Sequence, residues 1–219
     1  GATLVERTMV EPYSELKKLA EGLLNFPNVY ILSDEIYSRI LFDENKHLSL
    51  KSFPEISERV IVLDGWSKTF AMTGWRLGYG IFPNNIFDYA EKLASNCHSC
   101  VNLATQYAGI EALLGDQSYV TKMVQEFLER RNFLVEKLNL VKDIKCVKPG
   151  GAFYVFPKIF KDGLTSKEIS NILLEEKFLA TVPGSSFGKN GEGFIRISYA
   201  SNLANLKKSV NLLEEFISE

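Results

Sequence analysis

The chain has 219 residues, with 25 basic and 27 acidic side chains, a formal net charge of −2 and 46% apolar residues. That length allows one large or two small domains, and the composition excludes a disordered chain, a fibre or a disulfide-stapled mini-protein. Near-neutral charge without a long Lys/Arg cluster argues against a nucleic-acid or anionic-membrane binder, and apolar runs such as 29–32 and 60–63 fall far short of the roughly 18 residues a membrane span needs.

The chain begins Gly1-Ala2-Thr3, without Met, a charged leader or an apolar signal segment, and reads as a fragment. Glu11 and Pro12 open an amphipathic helix in which Leu16, Leu19, Ala20, Leu23 and Leu24 form one buried stripe. Beyond the turn Asn25-Phe26-Pro27-Asn28, the runs 29–32 and 60–63 read as buried parallel strands, and 77–82 as a weaker third strand. Ile86, Tyr89, Ala90, Leu93, Ala94 and Cys97 trace a helical face, followed by a second helix through Ala104, Ala108 and Ala112 to Gly115. A long helix over 118–138 carries Val120, Val124, Phe127, Leu134 and Leu138 inward. The order then becomes strand (152–156), helix (165–176), strand (179–182), strand (194–199) and terminal helix (202–217). Thr165 with Glu168 forms a capping-box pattern, and Leu206, Val210, Leu213 and Ile217 give the last helix its inner stripe. There is no repeat and no low-complexity tether, so a domain boundary belongs in or near the long helix.

Both of the best strands run into polar clusters: Ser33-Asp34-Glu35-Ile36-Tyr37-Ser38 after the first, Asp64-Gly65-Trp66-Ser67-Lys68-Thr69 after the second. In open α/β sheets, ligands bind beyond the carboxyl ends of parallel strands, so an acid and a lysine there can face one ligand. Strand alternation sends Asp34 and Glu35 to opposite faces, and Asp34 is assigned to the crevice. Lys68-Thr69 is not the end of a phosphate-binding P-loop, because Ser67 stands where that motif needs glycine. Cys97 and Cys100 form a solitary C-x-x-C at helical spacing and read as helix core, so no metal site is expected. His47 and His98 lie in no nucleophile motif, and Trp66, Trp75 and Phe153 read as packing residues, Trp66 being the one expected near the site. Three cysteines, an odd and sparse set, fit a reducing compartment such as the cytoplasm.

The stretch Gly65-Trp66-Ser67-Lys68-Thr69-Phe70-Ala71-Met72-Thr73-Gly74-Trp75-Arg76-Leu77-Gly78-Tyr79 resembles the lysine segment of class I/II aminotransferases, fold-type I pyridoxal-phosphate enzymes. Ser33-Asp34-Glu35-Ile36-Tyr37 resembles the strand end that precedes it, and Pro149-Gly150-Gly151-Ala152-Phe153-Tyr154, Pro183-Gly184-Ser185-Ser186-Phe187-Gly188 and Phe194-Ile195-Arg196-Ile197-Ser198-Tyr199 resemble the family's small-domain signatures. The resemblance implies an α/β fold: the C-terminal part of a mostly parallel, helix-flanked large domain over 1–125, then a small α+β domain over 126–219.

It also implies roles. Lys68 would hold pyridoxal 5'-phosphate as a Schiff base and carry the proton; Asp34 would pair with the pyridinium nitrogen, Tyr37 with the phenolic oxygen, and Ile36 would pack on the ring. Arg76 would bind the phosphate with help from Ser67, although Gly65 replaces the serine some members carry there, and Arg196 would clamp the substrate α-carboxylate. The implied activity is amino-group transfer from an amino acid to a 2-oxo acid, in a protein that is a homodimer when complete. A carbon-sulfur lyase on the same scaffold and a catalytically silent interaction module are the alternatives. Gly1 would be the last letter of the family's Asn-Pro-Thr-Gly segment, the missing part supplying a ring-contacting asparagine, a stacked aromatic and a phosphate-cradling loop.

Overall fold

The structure, a computed structural model, describes residues 3–6 as backbone and residues 13–219 in full. Gly1 and the expected helix start at Glu11-Pro12 lie outside the described residues. The chain divides into two compact units: the described residues up to Lys122 together with Gly150–Ala152, and Met123–Pro149 together with Phe153–Glu219.

The first unit contains β1 (Thr3–Glu6), α1 (Tyr13–Leu23), β2 (Ile31–Asp34), β3 (Val60–Gly65), α2 (Trp66–Thr69), β4 (Gly78–Ile81), α3 (Asn84–His98), α4 (Leu103–Leu114) and the start of α5 (Ser118–Leu138). Its sheet has the order β1-β2-β3-β4, with β1, β2 and β3 parallel and β4 antiparallel to β3. β4 reverses because only a one-turn helix and a 3₁₀ turn, not a crossover helix, connect it to β3. β1 was not foreseen, and β2 starts two residues later than its apolar run. Arg59 explains the shift: its guanidinium donates to the carbonyls of Leu23, Phe26 and Val29, at 3.1, 2.7 and 2.8 Å, drawing this stretch into the end of α1.

Ile31, Val60 and Val62 point to one sheet face and pack on Leu16 and Ala20 of α1 and on Leu50, Phe53 and Ile56 of the β2–β3 connection. Leu19 and Leu24, expected in that stripe, are exposed. The apolar face of α3 is also present but not buried, with Tyr89 76% and Leu93 65% exposed. The helix-core reading of Cys97 and Cys100 is wrong: both are exposed, and α3 ends at His98, before Cys100. Trp75 is largely exposed rather than packed.

The second unit holds the rest of α5, then β5 (Ile144–Lys145), β6 (Tyr154–Val155), β7 (Lys158–Ile159), α6 (Ser166–Glu175), β8 (Val182–Pro183), β9 (Ile195–Ser198) and α7 (Leu203–Ser218). β6-β9-β8 form an antiparallel sheet in which Tyr154 pairs with Ser198 and Val182 with Arg196; β5 and β7 form a separate pair. The capping box forms: Glu168 N–H donates to Thr165 Oγ1 at 3.3 Å, and Thr165 N–H to Glu168 Oε2 at 2.8 Å. In α7 the fourth buried residue is Phe216, three positions past Leu213, rather than Ile217. Arg131 of α5, unremarked in the sequence, is fully buried and donates to Pro149 O at 2.9 Å and to Asn132 Oδ1 at 2.8 Å.

Candidate active site

β2 ends on Asp34, whose Cα pairs with Leu63 in the parallel ladder to β3. Alternation separates the two acids. Asp34 is half-buried, and among the described residues its carboxylate accepts one hydrogen bond, from Ile36 N–H to Oδ1 at 3.3 Å. Glu35 turns to the packed face, where it is 8% exposed. There its Oε1 accepts from Ser33 Oγ at 3.0 Å and Ser49 Oγ at 2.7 Å, and His47 Nε2 lies 2.7 Å from Oε2. Glu35 N–H extends the ladder to Leu63 O (2.8 Å) and Ser38 N–H closes onto Glu35 O (2.8 Å), so Ile36 and Tyr37 sit half-buried on a tight turn beside Asp34.

On the same face, Asp64 accepts from Gly65 N–H at 2.6 Å and Ser38 Oγ at 3.0 Å. The two acids titrate in opposite senses. Burial alone pushes the Glu35 carboxyl up, but the bonds from His47, Ser49 and Ser33 and the His47 charge together hold it below its ordinary value. Burial pushes Asp64 up, and the Glu35 charge adds to this against the Gly65 and Ser38 bonds. A depressed carboxyl stabilises the fold above the ordinary glutamate range and loses that stabilisation as pH falls through the folded-state value; a raised one acts in reverse. His47→Ala is therefore expected to cost about 1–3 kcal/mol at neutral pH by stranding a buried carboxylate oxygen, and to flatten the loss of stability on acidification. Urea melts of the full-length protein from neutral into the acid range check this; superimposable curves for variant and parent would contradict it.

β3 delivers Gly65 and then the single turn α2, which carries Ser67 and Lys68. A Cβ at Gly65 would lie 2.7 Å from Gly78 Cα and 2.8 Å from Leu77 O, so only glycine allows β4 this close. Trp66 anchors the turn: its N–H donates to Leu77 O (3.2 Å), its Nε1–H to Gly109 O of α4 (3.0 Å), and its ring meets Tyr79 edge-on at 5.8 Å. Lys68 and Ser67 are half-buried between that anchor and the buried Thr69. The loop beyond holds two non-glycine residues in left-handed conformation, Ala71 (φ 53°) and Arg76 (φ 56°, ψ 48°). Backbone strain of this kind persists only where the surroundings enforce it and concentrates at functional sites. Arg76 is exposed; its Nη1–H donates to Thr73 O at 3.0 Å.

The first unit thus gathers Asp34, Ile36 and Tyr37 beyond one strand and Ser67 and Lys68 beyond its parallel neighbour, with Arg76 on the following loop. An acceptor with an oxygen to spare, a phenol, a hydroxyl, an ammonium and a guanidinium suit a flat heteroaromatic bearing a protonated nitrogen and an anionic group. Arg196 belongs to the second unit. It lies on β9 between the buried Ile195 and Ile197, with its Cζ 4.5 Å from the Tyr154 ring centroid and 4.7 Å from that of Phe187. Rings, not the acid that the cost of burying a charge leads one to expect, are its neighbours. Among the described residues no group of three or more His, Cys, Asp or Glu is placed to hold a metal ion, and no helix is long and apolar enough to cross a membrane.

An α/β unit with a lysine turn and an acid at adjoining parallel strand ends, followed by a small α+β unit, is a partial aminotransferase fold. The chain belongs to the aminotransferase class I and II family, whose model matches residues 9–213. It is 40% identical to an aspartate aminotransferase of Pyrococcus abyssi over 208 residues, covering 93% of this chain and 53% of that protein. A probable N-acetyl-LL-diaminopimelate aminotransferase of Bacillus subtilis is 37% identical over 217 residues, covering 99% of this chain and 52% of the relative. Among solved structures, the aromatic aminotransferase of Pyrococcus horikoshii superposes with a TM-score of 0.92 at 36% identity, over 99% of this chain and 60% of that one. The chain spans about half the length of these curated relatives.

Proposed function

We propose that the full-length protein is a pyridoxal-phosphate-dependent amino acid aminotransferase, that residues 1–125 belong to its cofactor-binding domain, and that residues 126–219 form a small C-terminal domain. The observation that carries this reading is the half-buried Asp34 carboxylate, with one long backbone bond, at a strand end paired in parallel with the strand that leads to Lys68. A carboxylate so placed has a lone pair left for a protonated ring nitrogen, so the residues fit the cofactor. When bound, pyridoxal phosphate supplies an aldehyde carbon that accepts and returns an amino group and a ring that draws electrons from the substrate Cα.

The chain's own residues do the rest. Asp34 keeps the ring nitrogen protonated by its negative charge. Tyr37 donates to the phenolic oxygen, Ile36 packs against the ring, and Arg76, with Ser67, holds the phosphate. Lys68 would be the covalent anchor and then the base: its amine would take the proton from the substrate Cα and deliver it to C4′, the aldehyde carbon of the cofactor. Arg196 binds the substrate α-carboxylate. The substrates are an amino acid and a 2-oxo acid, and the protein acts as a homodimer in the cytoplasm. The exposed apolar side chains of α3 and α4 fit burial in a larger assembly, and the free thiols fit a reducing compartment.

The test is to supply the full-length protein with pyridoxal phosphate, a panel of L-amino acids and 2-oxoglutarate. Equal yields of oxo acid and glutamate with parallel double-reciprocal lines are expected. Release of ammonia and pyruvate without an acceptor would place the protein among the lyases, and no turnover and no cofactor absorbance would leave it a silent module.

A further inference from the structure

The Arg196 guanidinium is half-buried, yet no hydrogen bond or ion pair holds it among the described residues; two aromatic rings do. They come from opposite sides of its strand. β9 is the middle strand of its sheet: Tyr154 belongs to β6 on one side, and Phe187 ends the 3₁₀ turn that follows β8 on the other. Neither ring is placed by chance. Phe187 meets Phe156 edge-on at 5.7 Å, and Phe156 stacks on Phe194 at 5.1 Å. Tyr154 rests on Phe153 at 4.8 Å, which contacts the buried Phe127 at 5.3 Å. The turn carrying Phe187 is fixed by Gly184, which is packed against the Gly191 and Phe194 backbones too closely for any side chain.

A guanidinium is attracted to a ring through its face, whereas its N–H donors lie in its plane. Neither ring contact is a hydrogen bond or ion pair, so the N–H donors stay available to a ligand, and those along one edge can meet a carboxylate with two parallel hydrogen bonds. We propose that Phe187 and Tyr154 are positioning residues that present the edge of Arg196 to the substrate carboxylate, so that the aromatic brace, not a neighbouring acid, sets carboxylate affinity. This deepens the function proposed above and rests on the carboxylate role of Arg196. A brace of rings also has a chemical advantage over an acidic partner: an acid would hold the guanidinium by the same edge donors that the substrate needs.

The experiment uses the full-length holoenzyme and compares Phe187→Leu, Phe187→Tyr, Tyr154→Leu and Arg196→Ala. Loss of one ring is expected to raise KM for the amino acid, and the Kd for propionate as a non-reacting carboxylate, by about 5- to 30-fold. The kcat should change little, as should reaction with a primary amine that has the same side chain and no carboxylate, and Phe187→Tyr should restore the parental values. If Phe187→Leu does not fold, Tyr154→Leu reads the opposite ring. If Arg196→Ala weakens carboxylate binding and neither ring variant does, the brace is wrong and the Arg196 assignment stands. If Arg196→Ala changes nothing, the assignment itself fails. Equal losses with amine and amino acid would show general damage to the unit and overturn the positioning role.

Discussion

Lys68→Ala is expected to lower transamination by the full-length protein by roughly 10⁴-fold or more, because it removes the group that takes and returns the proton at Cα and also the covalent anchor. The structure makes this a clean test. Lys68 projects from a turn whose position depends on other residues: Trp66 bonds to Leu77 and Gly109, and Thr69 is buried behind it. The alanine variant should therefore still unfold in one cooperative urea transition while losing activity. Lys68→Arg separates charge from basicity, since a guanidinium stays protonated and cannot serve as the base. It should be as inactive as the alanine variant. Steady-state rates over a common amino acid series measure both, and activity within about tenfold of the parent would remove Lys68 from the mechanism.

The second large effect separates two adjacent acids. Asp34→Ala is expected to cost roughly 10³-fold in kcat, because without the carboxylate the cofactor ring loses the charge that keeps its nitrogen protonated. Its effect on folding should stay within about 0.5 kcal/mol, since among the described residues the side chain receives only the Ile36 N–H bond at 3.3 Å. Glu35→Ala should do the reverse. It leaves the buried Ser33 and the half-buried Ser49 without their acceptor and takes the partner of the more exposed His47, costing about 1–3 kcal/mol. Rates and denaturation midpoints measured on both variants should cross over; activity lost more severely at position 35 than at 34 would reverse the assignment of the two faces.

The separation of these acids was legible because strand alternation is local, and so were the strand ends themselves, β-branched runs breaking into polar clusters. The capping box of α6 was legible for the same reason. What escaped depended on partners distant in sequence. Nothing near residue 35 announces His47 and Ser49, although a carboxylate assigned to the packed face calls for donors somewhere, and that demand was the available signal. Arg59 displaced the start of β2 through bonds to carbonyls some thirty positions earlier. The strands expected over 152–156 and 179–182 shrank to the two-residue β6 and β8, beside Pro157 and ending on Pro183, which cannot donate to the ladder. The periodicity of α3 correctly gave a helix but misplaced its apolar face, because a stripe shows only that something is to cover it. Arg196 was singled out by its apolar neighbours in an alternating strand, whereas Phe187, on the turn before that strand, gave no sign of reaching it.

Ala71 and Arg76 adopt a backbone twist that glycine would reach freely. Glycine at either position would relax the peptide but enlarge the set of shapes open to the stretch following Lys68. The neighbours that enforce this twist, with Met72 buried between the two positions, therefore also restrict the shapes open to the segment that follows the lysine.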